Sequence, residues 1–436
     1  MTLDAEKCAA VVASVDPITL SGRVSQVIGL VIESDGPAVS IGENCVIESN
    51  SGSARVRCEV VGFRDKKVLL MPLGDVSGIG PGSRVVASRE PLVVGVGHEL
   101  LGRVINGLGQ PIDGGGPIET PAKRNITQAA PDPMSRRRIT APLATGIRVI
   151  DGMLTCGKGQ RVGIFSGSGV GKSVLLGMIA RNSEADVNVI ALVGERGREL
   201  RDFLDKDLKE EGLKRSVVVA VTSDQAALVR VKGAMTATAI AEYFREMGLD
   251  VMLMMDSVTR VAMAQREIGL AIGEPPTSKG YTPSVFALLP RLLERAGTSD
   301  LGSITGLYTV LVEGDDMTEP VADAVRSILD GHIVLSRKLA NQNHYPAVDV
   351  LDSVSRLMID VIGDEHAAGA NRIREILATY RESEDLINIG AYNKGSNPKI
   401  DLAIDKMDPI NQFLRQGIGE PSTYDETVRA LIQVAS

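Results

Sequence analysis

The 436-residue sequence predicts an α/β protein in three parts: a small N-terminal β-barrel, a core of alternating strands and helices, and a C-terminal run of helices. Three observations carry that prediction. Between Leu20 and Ser88, short apolar runs are broken by turn residues. From about Gln160, strand-like runs alternate with helix-period segments, and one strand runs into a glycine-rich loop. After about His366 the strand pattern stops. The length exceeds what one hydrophobic core usually serves, which agrees with several domains.

The chain reads in order as follows. Residues 1–19 form a short segment with room for a helical turn or two before Pro17. In 20–88 the runs Val24–Val31, Cys45–Ile47, Val56–Val61 and Val68–Met71 are separated by Gly36-Pro37, Asn50-Ser51-Gly52 and Gly80-Pro81-Gly82. Strands so closely spaced, with turn chemistry between them, predict a small barrel. The Gly- and Pro-rich stretch 89–145 reads as a connector into the next domain, which extends to about residue 365. Within it, Arg136-Arg137-Arg138 suggests either an anion or nucleic-acid site or a solvated, salt-bridged linker, and the linker is the simpler reading.

Strands are expected at Arg161–Phe165, Val187–Val193, Val217–Val221, Val251–Met255, Ile304–Val312 and Ile333–Leu335. Helix-period segments such as Val174–Arg181 and Ala226–Met247 lie between them. This alternation predicts a mostly parallel sheet covered on both faces. In 366–436, Ala367–Tyr380, Ile400–Phe413 and Tyr424–Val434 read as amphipathic helices.

Composition narrows the function. The net charge is −8, aromatics make up 3% and tryptophan is absent, which argues against a nucleic-acid binder. Cys8, Cys45, Cys58 and Cys156 are scattered, as reduced thiols of a cytosolic protein would be. The first ten residues lack a signal pattern, and no apolar run approaches membrane-spanning length, so membrane association is expected only through partners or a surface patch.

The strand Val162–Phe165 enters Ser166-Gly167-Ser168-Gly169-Val170-Gly171-Lys172-Ser173 and then a helix. Apart from Ser166 in place of the first glycine, this is a phosphate-binding loop. Its glycines let backbone N–H groups turn inward, and the helix N-terminus adds a positive dipole. Lys172 would reach the β- and γ-phosphates of ATP, and the Ser173 hydroxyl would bind Mg²⁺. Downstream, Val251–Met255 ends in Asp256. In a buried parallel strand that acid would hold the Mg²⁺ shell, although a core strand followed by a helix-capping Asp reads the same way. Val187–Val193 ends in Gly194-Glu195-Arg196-Gly197-Arg198-Glu199, where Glu195 could polarise the attacking water or belong to a surface Glu–Arg cluster.

The loop and the string Gly194–Glu199 resemble the type III protein-export ATPases, relatives of the rotary ATP synthase β subunit. So do Gly273–Tyr281, Leu289–Gly297, Glu313-Gly314-Asp315-Asp316 and Asp330–Ser336. Ser173–Met178, His344-Tyr345-Pro346-Ala347 and Ala391–Ser396 are most similar to the flagellar export branch; the injectisome branch shares most of the core. The resemblance implies a RecA-like P-loop ATPase core between barrel and helical domains, and assembly as a homo-hexamer. It implies Glu195 as the catalytic carboxylate, and it accepts a small residue at Ser166. It implies Arg356, in Asp352–Arg356, as an arginine finger reaching the neighbouring subunit's γ-phosphate; without it Arg356 would read as an ordinary helix-surface arginine. Tyr345 would pack on adenine, where its residue type alone suggests a core tyrosine. Implied partners are a regulatory, stator-like protein at the N-terminus, export chaperones, export substrates and the membrane export gate. The short segment before the barrel leaves the regulatory protein's site without assigned residues. The implied location is the cytoplasmic face of the inner membrane.

Rival readings fare worse. A non-catalytic nucleotide-binding subunit would lose Glu195. A synthase catalytic subunit would carry a longer helical C-terminal domain, and an RNA translocase would carry a basic, aromatic RNA-reading domain.

Overall fold

A computed structural model describes residues 20–50, 52, 54–312, 314 and 316–436. The segment 1–19, with Cys8, and Glu313 and Asp315 of the 313–316 motif lie outside the described residues. The chain divides into two compact units, the first built mainly on residues up to Leu92 and the second on most of the remainder.

The first unit holds a closed six-stranded barrel: β1 (Ser21–Ile28), β2 (Val31–Asp35), β3 (Asn44–Glu48), β4 (Arg55–Arg64), β5 (Lys67–Pro72) and β6 (Arg84–Ala87), in the order β1-β2-β5-β4-β3-β6. Alternate residues point inward, so Val24, Ile32, Ile47, Val56, Val60, Leu70 and Val85 fill the interior. The run Val24–Val31 is not one strand. It breaks at Gly29-Leu30 into the hairpin of β1 and β2.

The second unit begins with β7 (Val93–Val96), β8 (Val104–Ile105) and β9 (Ala122–Asn125). The expected connector is therefore partly structural: β7 pairs β9, and β8 joins the edge of the main sheet through β12. Main-sheet strands β10 (Arg161–Ser166), β11 (Val187–Glu195), β12 (Ser216–Thr222) and β13 (Asp250–Asp256) follow. After them come β14 (Gly297–Thr298), β15 (Ser303–Leu311), β16 (Gly331–Leu335) and β17 (Val348–Ser355). The order is β17-β16-β10-β15-β13-β11-β12-β8, with β14 paired to β15. All pairings are parallel except β16–β17 and β14–β15. The central strands are buried along almost their whole length, as a sheet covered on both faces requires.

β17 went unread because Asp349, Asp352 and Ser353 interrupt its apolar residues, as in a half-exposed edge strand. Arg356 follows this strand, so it is not a helix-surface residue. The arginine triplet largely follows the salt-bridged linker reading: Arg137 and Arg138 are exposed and Arg136 pairs with the Glu294 carboxylate at 3.6 Å, although Arg136 is half-buried and also donates to the carbonyls of Glu294 and Ala296.

Helices Asp364–Asn388, Pro398–Leu414 and Tyr424–Ala435 close the chain. Asn397 caps the second, and Thr423 with Glu426 forms a capping box on the third. Their buried faces, including Ile373, Ile410, Phe413 and Leu431, join the same hydrophobic cluster as Ile150, Met153 and Leu175.

Candidate active site

Three parallel strands deliver the chemistry at their carboxyl ends: β10 at Ser166, β11 at Glu195 and β13 at Asp256. Ligands of open α/β sheets sit at this edge. Ser166 is fully buried as the last residue of β10, and its carbonyl accepts from the Val312 N–H at 3.1 Å. The loop then leads into the helix Lys172–Asn182, with Ser168 and Ser173 exposed and Val170 buried. Gly169 and Gly171 have φ of +80° and +88°, a region that strains any L side chain, whereas Gly167 does not. A left-handed backbone is thus required at two of the loop's three glycines.

Lys172 is anchored between two acids. Its Nζ contacts Asp256 Oδ1 and lies 4.0 Å from Glu195 Oε1. Thr309 Oγ1, from β15, donates to the same Asp256 oxygen at 2.7 Å. Glu195 is aimed by a β-bulge between Val193 and Glu195. The bulge residue Gly194 has φ +73°, and a Cβ there would come within 2.9 Å of Arg260 Cδ. Arg260 thus lies against the strand end, with Nε 3.2 Å from Glu195 Oε1. Burial, then the charge of Asp256, push the Glu195 carboxyl up to about 7, while Lys172 and Arg260 pull the other way.

Among the described residues no cluster of three or more His, Cys, Asp or Glu forms a metal cage. The donors at hand are oxygens: the Ser173 hydroxyl at the loop and the Asp256 carboxylate. Such a set suits Mg²⁺, which takes one or two carboxylates and shares its remaining positions with water and substrate phosphates.

Beside the loop a cavity of about 710 Å³ is lined by Gly171, Val174, Tyr345, Pro346 and residues from Arg415 to Glu420. That volume lies within the range of small-molecule sites. Tyr345 stands at its wall, 41% exposed, so it is not a core tyrosine. A Cβ on Gly171 would approach its ring to 3.3 Å.

Arg356 is not part of this constellation. β17 runs antiparallel to β16 and pairs Ser355 with Gly331, whereas Leu335 at the other end of β16 pairs with Ser166. Four residues of strand, roughly 13 Å, separate the two levels. Arg356 is exposed, and its guanidinium reaches the Arg326 carbonyl at 3.4 Å, with no carboxylate partner among the described residues.

Sequence reading passed over Arg260, Thr309 and Gln416. Arg260 follows Asp256 by four residues, about one helical turn into the next helix, and that spacing is the one clue it left. Thr309 lies on a different strand from the acid it supports, so nothing local marked it.

Comparison with known proteins agrees with this architecture. The ATP synthase alpha/beta family models match residues 24–89 as the beta-barrel domain and 146–355 as the nucleotide-binding domain, and the T3SS EscN ATPase C-terminal domain model matches 362–433. The Bacillus subtilis flagellum-specific ATP synthase is 59% identical over 94% of each chain. The Xanthomonas euvesicatoria type 3 secretion system ATPase is 51% identical over 95% of this chain and 93% of its own. Among solved structures, the assembled ATPase EscN from the enteropathogenic E. coli type III secretion system superimposes with a TM-score of 0.90 at 45% identity, over 95% of this chain and all of that one. EscN in complex with its central stalk EscO gives 0.88 at 44% identity over the same shares.

Proposed function

The chain belongs to the ATP synthase alpha/beta family, among the type III export ATPases, and we propose that it works as a homo-hexamer that hydrolyses ATP to energise export of flagellar proteins. The observation that carries the hydrolytic reading is Lys172 held between Glu195 and Asp256 at the mouth of the loop. In this reading the backbone of Ser166–Ser173 cradles the phosphates and Lys172 moves onto the β- and γ-oxygens. Ser173 and Asp256 would hold Mg²⁺, which would supply charge neutralisation to the phosphates. Glu195 orients and polarises the water in line with the γ-phosphorus. Its raised affinity for a proton matches a group that must accept one near neutral pH. Tyr345 stacks on the base. Arg356, too far down the sheet to serve its own loop, stabilises the γ-phosphate of the neighbouring subunit.

The domain division that fits this work is a partner-binding segment at 1–19, a barrel at 20–88, the ATPase domain at 89–365 and a helical domain at 366–436. Among the described residues no helix is long and apolar enough to cross a membrane. Placement at the cytoplasmic face of the inner membrane therefore falls to partners: a stator-like regulator, chaperones, substrates and the export gate. Support for a central-stalk partner comes from EscN, solved with EscO.

Deletion in the source organism, scored for swimming and for secretion of effectors, tests the flagellar assignment. Loss of swimming is the expected result. Loss of effector secretion with swimming intact would favour the second reading, an injectisome ATPase, which the Xanthomonas relative supports.

A further inference from the structure

Gln416 is a buried polar side chain, 6% exposed, at the edge of the nucleotide-side cavity. It lies two residues beyond the end of the helix Pro398–Leu414. Both ends of its side-chain amide and its own N–H are engaged, and the bonds reach the stretch Gly146–Arg148, Tyr345 and its own turn at Glu420. Its Oε1 accepts from the Arg148 N–H at 2.8 Å. Its Nε2 donates to the Gly146 carbonyl at 2.8 Å and to the Glu420 carbonyl at 2.7 Å. Its own N–H donates to the carbonyl of Tyr345 at 2.9 Å.

The surroundings reinforce the same segment. Arg148 reaches the carbonyls of Phe413 and Arg415 and the Glu420 carboxylate, and Arg181, at the end of the phosphate-loop helix, donates to the Ile418 carbonyl at 3.1 Å. The turn containing Gly146 is itself fixed, because Asp151 accepts from the N–H groups of Thr145 and Gly146. Residues 415–420 are thus a wall of the cavity, tied to the core through Arg148, Arg181 and Gln416, and of these three Gln416 also bonds the main chain of Tyr345.

We infer that Gln416 is a positioning residue for the base of the nucleotide. It fixes the wall formed by residues 415–420 and the main chain of Tyr345 at one spacing, and so sets the width of the slot a base must enter. Because only Arg415 separates it from the last turn of Pro398–Leu414, the same bonds link base occupancy to that helix. The inference rests on the reading of the cavity as the nucleotide site. Its chemistry is specific: a slot held open at fixed width favours a large flat base over a small one, since burial and dispersion scale with stacked area. A merely structural glutamine would make no such distinction.

The test compares Gln416→Ala and Tyr345→Ala with the unmodified chain, using ATP and UTP as substrates at equal protein concentration. Hydrogen exchange of residues 398–414 is followed with and without ADP. For Gln416→Ala the expected result is a KM for ATP raised roughly 5- to 20-fold with kcat within about 2-fold. The kcat/KM preference for ATP over UTP falls at least about 3-fold, and the ADP-dependent protection of 398–414 is lost. Equal losses for ATP and UTP, or an unchanged KM, overturn the assignment of Gln416. If Tyr345→Ala raises the KM and Gln416→Ala does not, only the Gln416 inference falls. If neither variant moves it, the base-site reading falls and takes the inference with it. A Gln416→Ala protein that fails to fold is replaced by Gln416→Glu, which keeps the acceptor for Arg148 and puts an oxygen against the two carbonyls. The same loss of preference is expected, and equal losses overturn the inference there too.

Discussion

Arg260 lies against Glu195 in a two-point contact, Nε 3.2 Å from Oε1 and Nη2 3.4 Å from Oε2. The contact opposes the burial that pushes the Glu195 proton affinity up to about 7. A carboxylate that positions water works only when ionised, so kcat/KM should rise with pH through an acid limb near 7. Arg260 favours the ionised form, and removing it raises the pKa further. Arg260→Ala is therefore expected to move the limb to higher pH, by about one unit if the guanidinium acts as an ordinary nearby charge. A pH–rate profile whose limb stays in place would separate Arg260 from the acid.

Glu195→Gln keeps the shape of the side chain and removes its charge. Turnover should fall by about 10²- to 10⁴-fold, the usual worth of a positioned proton acceptor, while nucleotide binding persists. Phosphate release and nucleotide titration on the same preparation read the two effects apart. Unchanged turnover would remove Glu195 from the chemistry.

Arg356→Ala should also reduce turnover, by about 10³-fold or more if it acts as an arginine finger. The informative measurement is a mixture. Arg356→Ala chains still supply Glu195, and Glu195→Gln chains still supply Arg356. Mixing the two inactive proteins is expected to restore part of the activity, because some boundaries then carry both groups. No recovery on mixing would refute a site shared between subunits.

Glu242 and Arg295 form a bidentate pair with both oxygens at 2.8 Å, 1% and 3% exposed, and Arg295 also donates to the Ile126 carbonyl. Truncating one partner strands the other charge inside the protein. Glu242→Ala should lower stability by about 3–5 kcal/mol, read by urea or thermal unfolding. Replacing both partners with apolar residues should recover most of it. A loss under 1 kcal/mol would mean the pair is better hydrated than its burial indicates.

The main-sheet strands and the phosphate loop were legible because each is a local pattern: an apolar run buried on both faces, or glycines at fixed spacing before Lys172. Strand ends were legible too, so Glu195 and Asp256 could be named from the acids that close β11 and β13. What escaped depends on pairing across the chain. β17 is a half-exposed edge strand whose apolar residues are interrupted by charge, and β8 is two residues of an apparent connector recruited by β12. Thr309 matters only because β15 lies beside β13. Gln416 gains meaning from Gly146, Arg148 and Tyr345, each at least 70 residues away in sequence and close only after folding. Arg356 was reached by resemblance alone, and its strand context corrected the helix surface expected without it.

The position of Arg356 at the far end of the sheet has a consequence for control. Each chain would offer one incomplete site to the neighbour on one side and complete the site of the neighbour on the other. Newly made copies, too dilute to meet, would hold fuel without burning it. Gathering them at one place would light them together. Where the copies collect would then decide how fast they run, with no separate inhibitor needed to keep stray chains idle.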